Sequence, residues 1–212
     1  MLALFDLDGT LIQDDSSRLW IDFCVKQGIL EPSYLQQTAL FQQQYHTKTL
    51  DMSAYITFFL RSVKGKSVEE VESLSDTFIK HCIKPYPQTH HLITKHKQDR
   101  CIVISATADF LVRKIAKHLG IEESIAVTCT LDNGIFSGKS EGIFSFQTGK
   151  VLRLKEYLKG DYKALMQDSC FYTDSINDLA LLKEVSNPIV CNGDVNLLKI
   201  AKEKGYPCIS LA

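Results

Sequence analysis

The chain begins with a short unbroken apolar run, residues 1–5, that stops at two carboxylates, Asp6 and Asp8, followed by Gly9 and Thr10. Such a run predicts a strand buried on both faces of a parallel sheet, with Gly9 in the turn beyond it. From about residue 15 to 82 the apolar positions fall at helical spacing: Leu19, Trp20, Phe23 and Cys24, then Tyr55, Ile56, Phe59 and Leu60. Glu31-Pro32-Ser33 and Val63-Lys64-Gly65-Lys66 separate helices, and Ser67 with Glu70 three residues on is a capping-box signature ahead of the stripe Val71, Leu74, Phe78 and Ile79. Strand signals are absent from this block. Pro85-Tyr86-Pro87 closes it, because two prolines two residues apart cannot continue a helix.

Beyond Pro87 helix and strand alternate. A helix near 88–98 leads to an apolar run at 101–104 that stops at Ser105; a helix near 108–118 ends at Gly120, and a strand follows near 125–130. Asp132-Asn133-Gly134 predicts a hairpin turn into a short extended piece at 135–137. A helix near 148–159 precedes a strand at 170–173 that runs into Asp174, and strands at 189–191 and 208–210 finish the chain. This alternation predicts an α/β fold, a doubly wound (Rossmann-like) parallel sheet with helices on both faces. The helical block interrupts it after the first strand, which divides the chain into residues 1–14 plus 84–212 and a helical insertion of residues 15–83.

The formal net charge of -1 gives no general field for nucleic acid or anionic membrane, so no nucleic-acid partner is expected. No apolar window is long enough for a membrane anchor or secretory signal, and the expected location is cytoplasmic. The seven cysteines are scattered without a C-x-x-C pair and read as buried reduced thiols. His90, His91 and His96 lack metal-ligand spacing and read as a solvated helix face.

Candidate chemistry collects at strand ends, where open α/β sheets bind ligands. Two aspartates at i and i+2 there can project to one side and reach one substrate atom or one metal; alone, Asp8-Gly9 reads as well as an Asx-turn. Three further sites place polar groups in equivalent positions. Ser105 ends one strand, Asp174 ends another with Asp178 one helical turn beyond, and Lys150 follows Gly149 at a helix start. Each has a structural reading of its own: Ser105 or Thr107 as a helix cap, Ser175 with Asp178 as a capping box, Lys150 as a surface lysine. Their joint occurrence in this order favours a shared site.

With these residues in place, the sequence resembles the haloacid dehalogenase superfamily of phosphohydrolases, in the branch that includes phosphoserine phosphatase. Phe5-Asp6-Leu7-Asp8-Gly9-Thr10-Leu11 matches the family's first motif, Ser105 its second, Gly149-Lys150 its third, and Thr173-Asp174-Ser175-Ile176-Asn177-Asp178-Leu179 its fourth. The resemblance implies a doubly wound core with a helical cap after the first strand. It also implies phosphomonoester hydrolysis through an aspartyl-phosphate: Asp6 as nucleophile, Asp8 as acid and base, Ser105 as a donor to phosphate, and Mg²⁺ held by Asp6, the Asp8 carbonyl and Asp174, with Asp178 close by or acting through water. A carboxylate about 4 Å from a phosphate dianion is repelled by roughly 8 kcal/mol at an effective dielectric near 20, which explains the need for Mg²⁺ and the Lys150 ammonium together.

Asp8 argues against dehalogenation, which has no leaving alcohol to protonate. A phosphotransferase or phosphomutase, a lipid-phosphate phosphatase and a non-catalytic phosphate-binding regulator on the same scaffold stand as alternative readings. The expected partner is a small phosphomonoester. Asp15 resembles the acidic residue that binds the amino group in phosphoserine phosphatases, and Asp15 and Arg18 begin the cap close to the nucleophile; helix N-capping accounts equally well for Asp14 and Asp15. Arg61 is the nearest counterpart of the arginine that reads a substrate carboxylate. Asn177 is expected to contact phosphate or substrate. Amino-alcohol and amino-acid phosphates, such as histidinol phosphate and phosphoserine, are the expected substrate class.

Overall fold

A computed structural model describes residues 1–212. At its centre lies β1 (Leu2–Phe5), whose four residues are fully buried. Leu2 and Leu4 pack in one apolar cluster, Ala3 and Phe5 in another, which is the two-residue period of a strand covered on both faces. The remaining strands are β2 (Arg100–Ala108), β3 (Glu123–Asp132), β4 (Ile135–Glu141), β5 (Ser169–Thr173), β6 (Asn187–Cys191) and β7 (Cys208–Ile209). They form one sheet in the order β4-β3-β2-β1-β5-β6-β7, parallel throughout except for the β3–β4 hairpin. The doubly wound α/β fold expected from the alternation is the fold observed.

The chain builds β2, β3 and β4 outward on one side of β1 and returns to lay β5 on the other, so the strand order reverses at β1. The crevice at the carboxyl end of that strand is the usual ligand site of such a sheet. Register sharpens this: Phe5 is level with Val103 of β2 and with Tyr172 of β5. Asp6 and Asp8, Ser105, and Asp174 therefore emerge one to three residues past a common rung.

Between β1 and β2 stand α1 (Ser16–Lys26), α2 (Ser33–His46), α3 (Met52–Phe59), α4 (Val68–Cys82) and α5 (Thr89–Lys95). The Ser67–Glu70 capping box is formed at the start of α4, as expected. Trp20 of α1 is fully buried, its ring centroid 5.3 Å from Phe78 of α4 and 5.5 Å from Phe110 at the start of α6 (Asp109–His118). Its indole N–H donates to Ser62 Oγ at 2.8 Å. The buried apolar side chains of α1, α3 and α4 belong to the same cluster as Phe5, Val103 and α6, so the helical block and one face of the sheet share a core. The other face is covered by α7 (Thr148–Leu158), α8 (Tyr162–Gln167), α9 (Leu179–Leu182) and α10 (Val195–Lys204).

Several local expectations are corrected. β2 runs past Ile104 to Ala108, so Ser105 lies within the strand and does not cap α6. β4 is longer than its apolar pattern because its second half stays paired with β3, Ser140 opposite Cys129 and Glu141 opposite Thr128, while its start also bonds the α3–α4 connection, Gly65 N donating to Phe136 O, Phe136 N to Lys66 O, and Val68 N to Gly134 O, at 2.8 to 3.1 Å. His90 and His91 are exposed, but His96 is buried, bonded to Asp99 Oδ2 at 2.8 Å and Tyr172 Oη at 2.9 Å. All seven cysteines are unpaired. No helix is long and apolar enough to cross a membrane.

Candidate active site

Asp6 follows β1 directly and is buried, as is Lys150 on the first turn of α7. Lys150 reaches there because Gly149 lets the helix start press against the preceding loop; a Cβ at Gly149 would sit 2.0 Å from the Phe144 carbonyl oxygen. The Lys150 ammonium donates to Asp6 Oδ1 at 2.7 Å and to Asp178 at 2.8 Å. Asp178 also accepts from Thr173 Oγ1 at 2.7 Å. Burial pulls the lysine pKa down, but Asp178 and Asp6 outweigh it and hold the ammonium protonated. Burial pushes the Asp6 carboxyl up, and Lys150 offsets part of that shift.

Asp8 is held from two sides. Its Oδ1 accepts from Ser16 N at 2.7 Å, and its Oδ2 accepts from Thr107 Oγ1 at 3.1 Å and Ser105 Oγ at 3.4 Å. Ser105 Oγ in turn accepts from Thr107 N at 3.1 Å, and Thr107 Oγ1 pairs with Ser17 Oγ at 2.8 Å. α1 of the helical block and β2 of the sheet thus grip one carboxylate together. Burial, then the charges of Asp15 and Asp6, push this carboxyl to about 7, against the bonds from Ser16. A group with that value is suited to give and take a proton near neutral pH.

Asp174 lies beyond β5, across the site from Asp8. Thr10 fastens it: Thr10 Oγ1 accepts from Asp174 N at 3.0 Å and donates to Asp174 Oδ1 at 3.0 Å, with Asp6 Oδ2 3.4 Å away. Gly9 has φ +75°, and a Cβ there would meet Asp174 Oδ2 at 2.4 Å, so conformation and space both call for glycine. The turn is braced from β6, where Asn192 Nδ2 donates to Gly9 O at 3.1 Å, and Asp194 Oδ2 accepts from Ile176 N at 2.6 Å. Burial and then the charge of Asp6 push the Asp174 carboxyl well above its ordinary value.

These groups open into a cavity of about 280 Å³ between the strand ends and helices α1 to α3. Asp6, Asp8, Ser105, Lys150, Asp174, Asp178, Asp15 and Arg18 all line it; Asn177 and Arg61 do not. Asn177 stays outside for a local reason. It is buried beside Gln147, whose amide donates to its Oδ1 at 3.3 Å, and it does not line the cavity, because the turn at Ile176–Asp178 directs Asp178 and not Asn177 toward Lys150. Asp15 caps α1, accepting from Arg18 N at 3.0 Å. Arg61 lies on a separate surface groove with Tyr34 and Gln37.

Four carboxylates, Asp6, Asp8, Asp174 and Asp178, line the cavity with a single lysine, which only Asp6 and Asp178 contact, and Asp174, raised by burial and Asp6, has no cation among its bonded partners. That imbalance fits a divalent cation. No three His, Cys, Asp or Glu side chains converge on one point; Mg²⁺ commonly takes one or two carboxylates and keeps several waters. Thr107, Ser17, Asn192 and Asp194 were not singled out as site residues from sequence. The strand-end rule that finds Asp6 and Asp174 finds Asn192 and Asp194 too when applied to β6.

The family model for haloacid dehalogenase-like hydrolases matches residues 3–183. The histidinol-phosphatase of Neisseria meningitidis serogroup C is 34% identical over 217 residues, covering 99% of this chain and 98% of that protein. A Bordetella pertussis Tohama I protein of unknown function superposes with a TM-score of 0.91 at 30% identity, over 100% of this chain and 98% of its own. A substrate-bound phosphoserine phosphatase shares the fold, with a TM-score of 0.67 at 21% identity over 98% of this chain and 91% of that one. The resemblance carried by the four sequence motifs is therefore borne out over nearly the whole length, and the chain belongs to the haloacid dehalogenase-like hydrolase family, as an enzyme of its phosphatase type.

Proposed function

We propose that this enzyme hydrolyses a small phosphomonoester in a Mg²⁺-dependent reaction through an aspartyl-phosphate on Asp6. The observation that carries the reading is the pair of aspartates on one strand end in unlike settings: buried Asp6 against an ammonium at 2.7 Å, half-buried Asp8 against Ser16 N and the hydroxyls of Thr107 and Ser105. The Asp6 carboxylate attacks phosphorus while the ester P–O bond breaks, and the protonated Asp8 gives its proton to the departing oxygen. Asp8, now ionised, takes a proton from the water that attacks the acyl phosphate, which releases inorganic phosphate and restores Asp6. Lys150 orients Asp6 and balances charge on the phosphate, and the Ser105 hydroxyl donates to a phosphate oxygen. Asp6, the Asp8 carbonyl and Asp174 would hold Mg²⁺, with Asp178 acting through water; the ion supplies positive charge to the phosphate oxygens. On this reading residues 1–14 and 84–212 form the catalytic body and residues 15–83 the cap that selects substrate.

Amino-alcohol and amino-acid phosphates are the substrate class supported by the names of the relatives and by Asp15 in the cavity wall. Phosphate release from a panel of such esters, with Mg²⁺ and with EDTA, tests the reading beside Asp6→Asn. Metal-dependent turnover lost in the variant supports it; no metal-dependent turnover by the unmutated enzyme refutes it.

A further inference from the structure

The cavity is rich in acids and has no spare cation. Asp6, Asp8, Asp14, Asp15, Asp174 and Asp178 line it, and its only lysine or arginine side chains are Lys150 and Arg18. Both are engaged. Lys150 is shared by Asp6 and Asp178. The Arg18 guanidinium is held from both sides of its own position on α1: Asp14 takes Nε and one terminal nitrogen, and Asp22 takes the other at 2.8 Å. Asp22, four residues on, is within reach along α1, and Asp14 reaches back from the turn that precedes the Asp15 N-cap. His46, the remaining nitrogen base of the lining, is exposed at the rim.

This bears on the two halves of the substrate class proposed above, and it rests on that phosphatase reading. A substrate carrying a carboxylate beside its phosphate finds no free guanidinium or ammonium there, and it meets the charge of Asp15 instead. A protonated amine without a carboxylate gains from the same field. The apolar and aromatic side chains of the wall, Phe41, Tyr45, Leu50, Met52, Tyr55 and Phe146, stand beside Ser17, Thr38 and Gln42. We infer that the site takes a cationic, carboxylate-free phosphomonoester, an amino-alcohol phosphate bearing a ring or similar apolar group, and turns away amino-acid phosphates because Asp14 and Asp22 sequester Arg18.

The test is kcat/KM with Mg²⁺ for p-nitrophenyl phosphate, phosphoethanolamine, O-phosphoserine and histidinol phosphate. Phosphoethanolamine and O-phosphoserine differ only in the carboxylate, and the first should be preferred by roughly 100-fold. Histidinol phosphate should exceed phosphoethanolamine, since its ring meets the apolar wall. In the double variant Asp14→Asn with Asp22→Asn, Arg18 is released, and the phosphoserine-to-phosphoethanolamine ratio should rise about tenfold or more. Asparagine suits position 14, where φ is +76°. Asp22→Asn alone, outside the cavity lining, should move the ratio the same way and serves if the double variant does not fold. Arg18→Gln added to either variant should return the ratio to its starting value. O-phosphoserine within about threefold of phosphoethanolamine in the unmutated enzyme, or a ratio unmoved in a variant that still turns over p-nitrophenyl phosphate, overturns the inference and leaves the phosphatase reading standing. Failure to hydrolyse any of the four esters overturns both.

Discussion

Asp8→Asn should end turnover and, in the absence of metal, make the protein more stable at alkaline pH. The two oxygens of Asp8 accept bonds from Ser16 N, Thr107 Oγ1 and Ser105 Oγ. An asparagine can keep its oxygen on Ser16 N and turn its amide toward the two hydroxyls, which accept as readily as they donate. What it removes is a half-buried charge facing Asp15 and Asp6. In the folded chain the Asp8 carboxyl keeps its proton to about pH 7, whereas its ordinary value is 3.8. Between those values the native state binds more protons than the unfolded one, so native stability falls as pH rises, and above about 7 the loss is complete. At 1.36 kcal/mol for each pH unit the full penalty is about 4 kcal/mol. Burying the amide costs part of the gain, which leaves about 2 to 4 kcal/mol in favour of the variant at about pH 8.5 and almost none at about pH 4. Urea unfolding in EDTA measures it, with Trp20, the single tryptophan and fully buried, as the fluorescent reporter. An asparagine variant that is less stable at alkaline pH, or a difference that does not change with pH, refutes this account of Asp8.

Removing the lysine should do the reverse: Lys150→Ala leaves Asp6 and Asp178 buried without a counter-ion, so unfolding should become easier by about 3 to 5 kcal/mol and turnover should stop, as urea midpoints and phosphate release will show. Gly9→Ala strains a positive φ and displaces Asp174, so a Mg²⁺ titration of activity should shift to higher concentration, and an unchanged titration would separate Asp174 from the metal. Thr107→Val deletes a donor to ionised Asp8 and should raise its pKa further; the alkaline limb of the kcat/KM profile then moves to higher pH, with a loss of about tenfold in rate.

Strand ends were the legible part of the site. An apolar run broken by a polar residue can be read without knowing what lies beside it, and parallel pairing at the register of Phe5 with Val103 and Tyr172 does the rest. Side-chain direction within a short turn was not legible in this way. Asp178 and Asn177 are neighbours in sequence, yet one reaches Lys150 and the other Gln147, because the 3₁₀ turn at Ile176–Asp178 turns successive side chains apart by about a third of a revolution. His96 was misjudged for a similar reason: its helix is polar, but α5 ends at Lys95, and the chain there folds the ring against Phe5 and Tyr172.

Arg18 shows where a residue type and a place near the nucleophile mislead. An arginine at the start of the cap invites the role of reading a substrate carboxylate, and the structure does put it in the cavity wall. Availability depends on its neighbours, and those were visible: Asp14, Arg18 and Asp22 stand at i, i+4 and i+8. Two carboxylates on one guanidinium take three of its five N–H donors, the Nε–Nη fork among them, and balance its charge. Lys150 is committed in the same way, but to Asp6 and Asp178, where on the proposed mechanism its charge still acts on the phosphate. The two cations thus differ in consequence. One supports the reaction common to the family's phosphatases, and the other, by being occupied, narrows which phosphate ester enters it.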